Sequence, residues 1–155
     1  MKQIGAVTVD SDIIEVDLTL DTSAYADGDL LADAQEVPNF FGENGVGTIT
    51  SIMVVDTDDQ GIAFDLFFTD DSTSWGTENS AVAIADAQAD DIQAVVSVAT
   101  SDFVDLVNSQ VAFKGNVNAI VKTSGAGNLY VAAVSRGAGT YTASGLKLRI
   151  GVIRD

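Results

Sequence analysis

The 155-residue sequence contains no cysteine and no histidine, a single proline, and seven basic residues against 23 acids. Each shortage excludes something. Without cysteine there is no disulfide, no thiolate zinc site and no thiol nucleophile. Without histidine, the side chain most used for proton transfer near neutral pH and for ligating transition metals is missing. Catalysis would have to rest on carboxylates, lysine, serine, threonine or tyrosine. The formal charge of −16 repels nucleic-acid phosphates and anionic membranes, so neither is an expected partner. Nineteen of the acids are aspartate, which favours turns, whereas glutamate favours helix interiors. That skew points to a β protein with acidic connections. Met1 to Asp10 holds one lysine and no long apolar run, which matches neither a signal peptide nor a membrane span. The length suits one domain over 1–155, burying about two-thirds of the unfolded surface with no cofactor needed for folding.

What is present is strand patterning. From Ile13 to Asp21, Ile14, Val16, Leu18 and Leu20 fall on one face, with Glu15, Asp17 and Thr19 on the other. Thr48 to Asp56 and Ile62 to Thr69 read as two further strands, and Asp56 to Gly61 between them as a hairpin loop. Gln93 to Thr100 and Ser109 to Lys114 follow. The last third predicts three strands, Val117–Lys122, Leu129–Val134 and Leu146–Ile153, joined by glycine-rich segments that read as hairpin turns. The alanine-rich stretch Ala81 to Ile92 predicts the one helix, of about two turns. The sum is nine or ten strands and at most one short helix: an all-β, jelly-roll-like antiparallel β-sandwich. Its expected core comprises Val16, Leu18, Leu20, Phe64, Leu66, Phe68, Leu129, Val131, Leu148, Ile150 and Val152. Ile13–Leu20 is expected to pair with Leu146–Ile153, bringing Glu15 and Asp17 to Lys147 and Arg149.

Candidate sites are few. Asp56-Thr57-Asp58-Asp59-Gln60-Gly61 opens like a calcium loop, but Gln60 stands at the fifth position and Phe67 where a bidentate glutamate belongs. An acidic turn is the better account, and no metal site is assigned. A carboxylate pair of glycosidase spacing carries no information among so many acids. Gly125-Ala126-Gly127 and Gly137-Ala138-Gly139 open no helix and lack the lysine of a phosphate loop. No catalytic residue is assigned. Tyr25, Trp75, Tyr130 and Tyr141 lie in or beside expected loops, where rings either stack on sugars or anchor a core or interface. Lys147, Arg149 and Arg154 gather three of the seven bases near the C-terminus, placed to pair with acids on a neighbouring strand or subunit.

Several of these segments carry a resemblance. They are Ser23-Ala-Tyr-Ala-Asp-Gly-Asp29, the aspartate closing Ile52-Met-Val-Val-Asp56, Phe64-Asp-Leu-Phe-Phe68, Ala83-Ile-Ala-Asp86, and Tyr130 to Tyr141 followed by Leu146-Lys-Leu-Arg-Ile150. Together they resemble the jelly-roll decoration or cement proteins of tailed phages, which sit on capsids, commonly as trimers. The resemblance implies a non-enzymatic role on the virion exterior, with the major capsid protein and further copies of the chain as partners. It transfers no catalytic residue. Self-assembly of a chain at −16 needs an apolar or charge-compensated interface, for which Tyr25, Tyr130, Tyr141, Lys147, Arg149 and Arg154 are the candidates. The alternative, from a different class, is a glycan- or host-binding module of a head fibre or tail, using Trp75 and the tyrosines.

Overall fold

The computed structural model describes residues 9–42, 44–123 and 127–154. Ten strands form two antiparallel sheets. Strand β1 (Asp10–Asp17) pairs with the last strand, β10 (Leu146–Arg154), which pairs in turn with β3 (Val46–Asp56). The far edge of β3 is shared by β7 (Gln110–Lys114) and β8 (Ala119–Lys122), and β6 (Phe103–Asp105) closes that side against β7. The second sheet runs β2 (Leu30–Val37), β9 (Leu129–Ser135), β4 (Phe64–Thr69), β5 (Ile92–Val98). First pairs with last and second with last but one, the nested arrangement of a jelly roll.

The two inner faces interlock as the period-two pattern requires. Every residue of the expected core is buried, joined by Ile49, Ile52, Val54, Val121 and Leu146 from the neighbouring strands. Opposite each other on the wet side of β1 and β10, Glu15 faces Arg149 and Asp17 faces Lys147. The expected ladder between the two ends of the chain is therefore present, and Leu18 extends it by donating to the Leu146 carbonyl at 3.0 Å.

Three local expectations are corrected. The Asp56–Gly61 loop is no hairpin, because β3 and β4 lie in different sheets. Neither are the glycine-rich segments of the last third, since β8, β9 and β10 alternate between sheets; most of the first, 124–126, lies outside the described residues. A turn signal reports that the chain reverses, not which sheet receives the next strand. The helix is also shorter than expected: only Asp86–Asp90 is helical (α1), and Ala81 bridges to Asp29. Strand β2 was hidden from the sequence pattern, because register shifts at Leu30/Ala32 and Ala32/Gln35 break its alternation.

Candidate functional site

The aromatic residues leave the surface. Tyr25 and Tyr141 are each 2% exposed and meet edge to face with centroids 6.3 Å apart. The Tyr25 hydroxyl donates to the Leu31 carbonyl at 3.1 Å and accepts the Asp21 N–H at 2.6 Å. Burial pushes its pKa up to about 12. Burial, then the negative charge of Asp56, pushes the Tyr141 hydroxyl further above the ordinary tyrosine value. These two expected interface residues are core residues: the crossing of loops at this end of the sandwich closes over them. Tyr130 stays half-buried on β9, between Glu36 and Thr69 in register.

Trp75 is buried as well, 5.1 Å from Phe67, in a second small cluster with Leu30, Ala132 and Val134. The segment between β4 and β5 thus lies over the outer face of the four-stranded sheet. Backbone bonds between Asn79 and Leu30 (2.9 Å) and between Leu30 and Ser80 (2.8 Å) fix it there, and the Trp75 N–H donates to Asp33 at 2.7 Å. This is why β9 is buried on both faces along most of its length. The covering segment carries Asp70, Asp71, Glu78, Asp86, Asp90 and Asp91 and no base.

The acids of the Asp56–Gly61 loop are structural. The Asp56 side chain is fully buried and accepts N–H bonds from Asp58 (2.9 Å), Gln60 (3.0 Å) and Gly61 (2.8 Å). Asp59 and Gly61 take the left-handed backbone that this wrapping needs, both at φ +57°. Asp58 reaches across to the Thr142 N–H at 2.7 Å. Among the described residues no group of three potential ligand side chains comes together.

The basic trio pairs within the chain. Lys147 lies 3.6 Å from Glu15 and 3.4 Å from Asp17, and Arg149 lies 3.0 Å from Glu15. Arg154 binds Asp10 at 2.9 Å and Asp12 at 3.1 Å and also donates to the Asn39 carbonyl. As interface candidates these three are therefore already partnered, although Lys147 and Arg149 remain on an open face.

That open face is the feature sequence reasoning missed. The outer side of the six-stranded sheet carries Ile13 (66% exposed), Phe113 (61%) and Ile120 (71%), with Ile153 exposed and Met53 and Val55 half-exposed between them. Register places them as neighbours: Arg149, Met53 and Phe113 form one cross-strand row, and Ile153, Thr48 and Ile120 another. Lys122, Lys147 and Arg149 share this face with Glu15 and Asp17, three bases against two acids in a chain at −16. Five of the seven bases of the chain (Lys114, Lys122, Lys147, Arg149 and Arg154) stand on strands of this one sheet. A sequence signal existed: Ile13 beside Ile14, and Phe113 beside Ala112, put large apolar groups at the solvent parity of strands whose other face is already apolar.

No family model matches the chain, and comparison with curated proteins finds no match. Among solved structures, a chain of Desmodium yellow mottle tymovirus is similar over 99% of this chain and 91% of that one, at 10% identity and a TM-score of 0.34. A likeness this loose transfers no function.

Proposed function

We propose that this chain is a structural virion protein that decorates and stabilises a phage capsid from outside, without catalysis, as a homo-oligomer, most simply a trimer. The observation that carries the reading is the division of the molecule into two unlike sides. One sheet is left bare, charge-compensated and studded with aliphatic and aromatic side chains, which is how a docking surface differs from a solvated one. The other sheet is covered by a segment bearing six acids and no base. A shell-bound subunit needs that polarity: an apolar side that loses water against the shell and neighbouring copies, and an acidic side that stays solvated and repels free nucleic acid. The resemblance of its segments to phage cement proteins agrees with this role. The glycan-binding alternative is weakened, because the rings it would use at Tyr25, Trp75 and Tyr141 are inside the protein.

The test is a reconstruction of the virion that encodes this chain, with mass spectrometry of the purified particle. The expected result is density for the sandwich on the capsid exterior, with the Ile120–Ile153 face toward the shell and the Asp86–Asp91 segment toward solvent. Absence of the chain from the particle, or an orientation with the acidic segment against the shell, would overturn the reading. Absence together with specific retention on a glycan array would favour the host-binding module.

A further inference from the structure

The β6–β7 hairpin ends in a turn that a soluble surface does not call for. Val104, Leu106 and Val107 are all exposed there, Val107 at 80%. Val107 also has φ +80°, a conformation that costs a β-branched residue energy and that glycine or asparagine takes more cheaply. The turn is held all the same: the Leu106 N–H donates to the Ser109 carbonyl at 2.8 Å, and the Val107 N–H to Asp105 Oδ1 at 2.6 Å. The result is a fixed aliphatic knob with one carboxylate at its base.

A matching hollow lies on the bare sheet. Gly151 faces Ile13 on one side and Ser51 on the other, and without a side chain at that point the surface dips. A Cβ on Gly151 would lie 2.4 Å from Ser51 Oγ and 3.0 Å from Thr50 Oγ1, so a side chain there would displace both hydroxyls and fill the dip. Ile13, Met53, Phe113 and Arg149 wall a hollow of about 180 Å³ over it.

We propose that the Leu106–Val107 knob of one copy seats in the Gly151 hollow of a second copy of this chain. Three observations select that occupant. The knob cannot reach its own hollow: Asp105 and Gln110 lie in register with Asp56, the end of β3, so the turn runs on past the sheet edge, in its plane. The charges fit as well: Asp105 lies beside the knob, and Arg149 on the rim of the hollow gives its Nε to Glu15 with its side chain still 47% exposed, so the guanidinium can take a second carboxylate. Around the hollow Lys147 and Arg149 balance Glu15 and Asp17, so a second copy at −16 meets less repulsion there than at the acidic segment after β4. Because knob and hollow are different surfaces, the contact is head-to-tail, and its repetition gives a ring if the rotation between copies closes and an open filament if it does not. The inference rests on the self-assembly part of the proposed function but not on capsid binding.

Sedimentation of the purified full chain at tens of micromolar tests it. The wild type is expected at a multiple of 16.1 kDa, in low and in high salt, since the contact is mainly apolar. Two variants that leave the net charge unchanged, Leu106→Ser with Val107→Ser and Phe113→Ser, should each run at 16.1 kDa while keeping the wild-type circular dichroism, because all three residues are exposed. Mixing the two variants should restore a two-chain species, since one retains the hollow and the other the knob. A monomeric wild type, a variant that keeps the wild-type mass, or a mixture that stays monomeric would each overturn the proposal. Failure of capsid binding would leave these masses unchanged, so the two readings fail separately.

Discussion

Replacing Asp56 with alanine removes the carboxylate around which the crossing from β3 to β4 is wrapped. Its two oxygens accept three backbone N–H groups: Oδ1 takes that of Asp58, and Oδ2 those of Gln60 and Gly61. The Gly61 N–H is buried, so losing its partner strands a donor that water cannot reach, at a cost of about 1–3 kcal/mol. The other two are partly exposed and lose only the net value of a hydrogen bond, about 1 kcal/mol each. Asp56→Ala is therefore expected to cost about 3–5 kcal/mol. Asp56→Asn, with its amide oxygen at the Oδ2 position, keeps the bonds to Gln60 and Gly61 and should cost only about 1–2 kcal/mol. Urea unfolding followed by tryptophan fluorescence reads both, Trp75 being buried in the native state, and the midpoint should move at constant slope. Because all three bonds already occupy the carboxylate, millimolar calcium should leave the wild-type midpoint where it is. An Asp56→Ala variant within about 0.5 kcal/mol of wild type, the usual scatter of surface changes, or an asparagine variant as costly as alanine, would refute the structural role of this carboxylate.

Other perturbations test other links. Phe64→Ala and Phe68→Ala should each cost about 3–5 kcal/mol in the same assay, since each empties a fully buried ring site between the sheets; an unchanged midpoint would show that the inner face of β4 is misassigned. Tyr25 is held protonated to about pH 12 in the fold and ionises near pH 10 when unfolded. Its contribution to stability is thus complete below pH 10 and declines as pH rises from 10 to about 12, with Tyr141 adding to the same trend. Melting temperatures across that range should fall, and Tyr25→Phe should flatten the fall. In the Phe113→Ser background, where the knob has no hollow to enter, Val107→Gly relieves a left-handed valine at an exposed turn and should raise stability by about 1 kcal/mol after the entropy of the added glycine is counted; a loss in thermal scans of that pair would show that the turn is not strained. Glu15→Gln should change stability by under about 1 kcal/mol, because its partners Lys147 and Arg149 are solvent-accessible, and 1 M salt should erase the difference.

Much of this protein was legible before folding because strand side chains alternate with period two. Ile14, Val16 and Leu18 against Glu15 and Asp17 defined one strand's two faces, Leu148 and Ile150 against Lys147 and Arg149 defined another's, and opposite charge on the two wet faces matched them as partners. The sandwich, its core and the pairing of the chain's two ends follow from that local signal. Tertiary structure alone decided which sheet received each strand. The turns at Asp56–Gly61 and Arg136–Tyr141 look like hairpins one at a time, yet they carry the chain from sheet to sheet, because the partners of β3, β4, β9 and β10 lie far away in sequence. It also decided the fate of the surfaces. Tyr25, Tyr141 and Trp75 read as loop residues and became core once loops from distant segments closed over them. Alternation tells a strand which side faces in, but not whether something later covers the side that faces out. In this chain the acidic segment after β4 covers one sheet and leaves Ile13, Phe113 and Ile120 bare on the other.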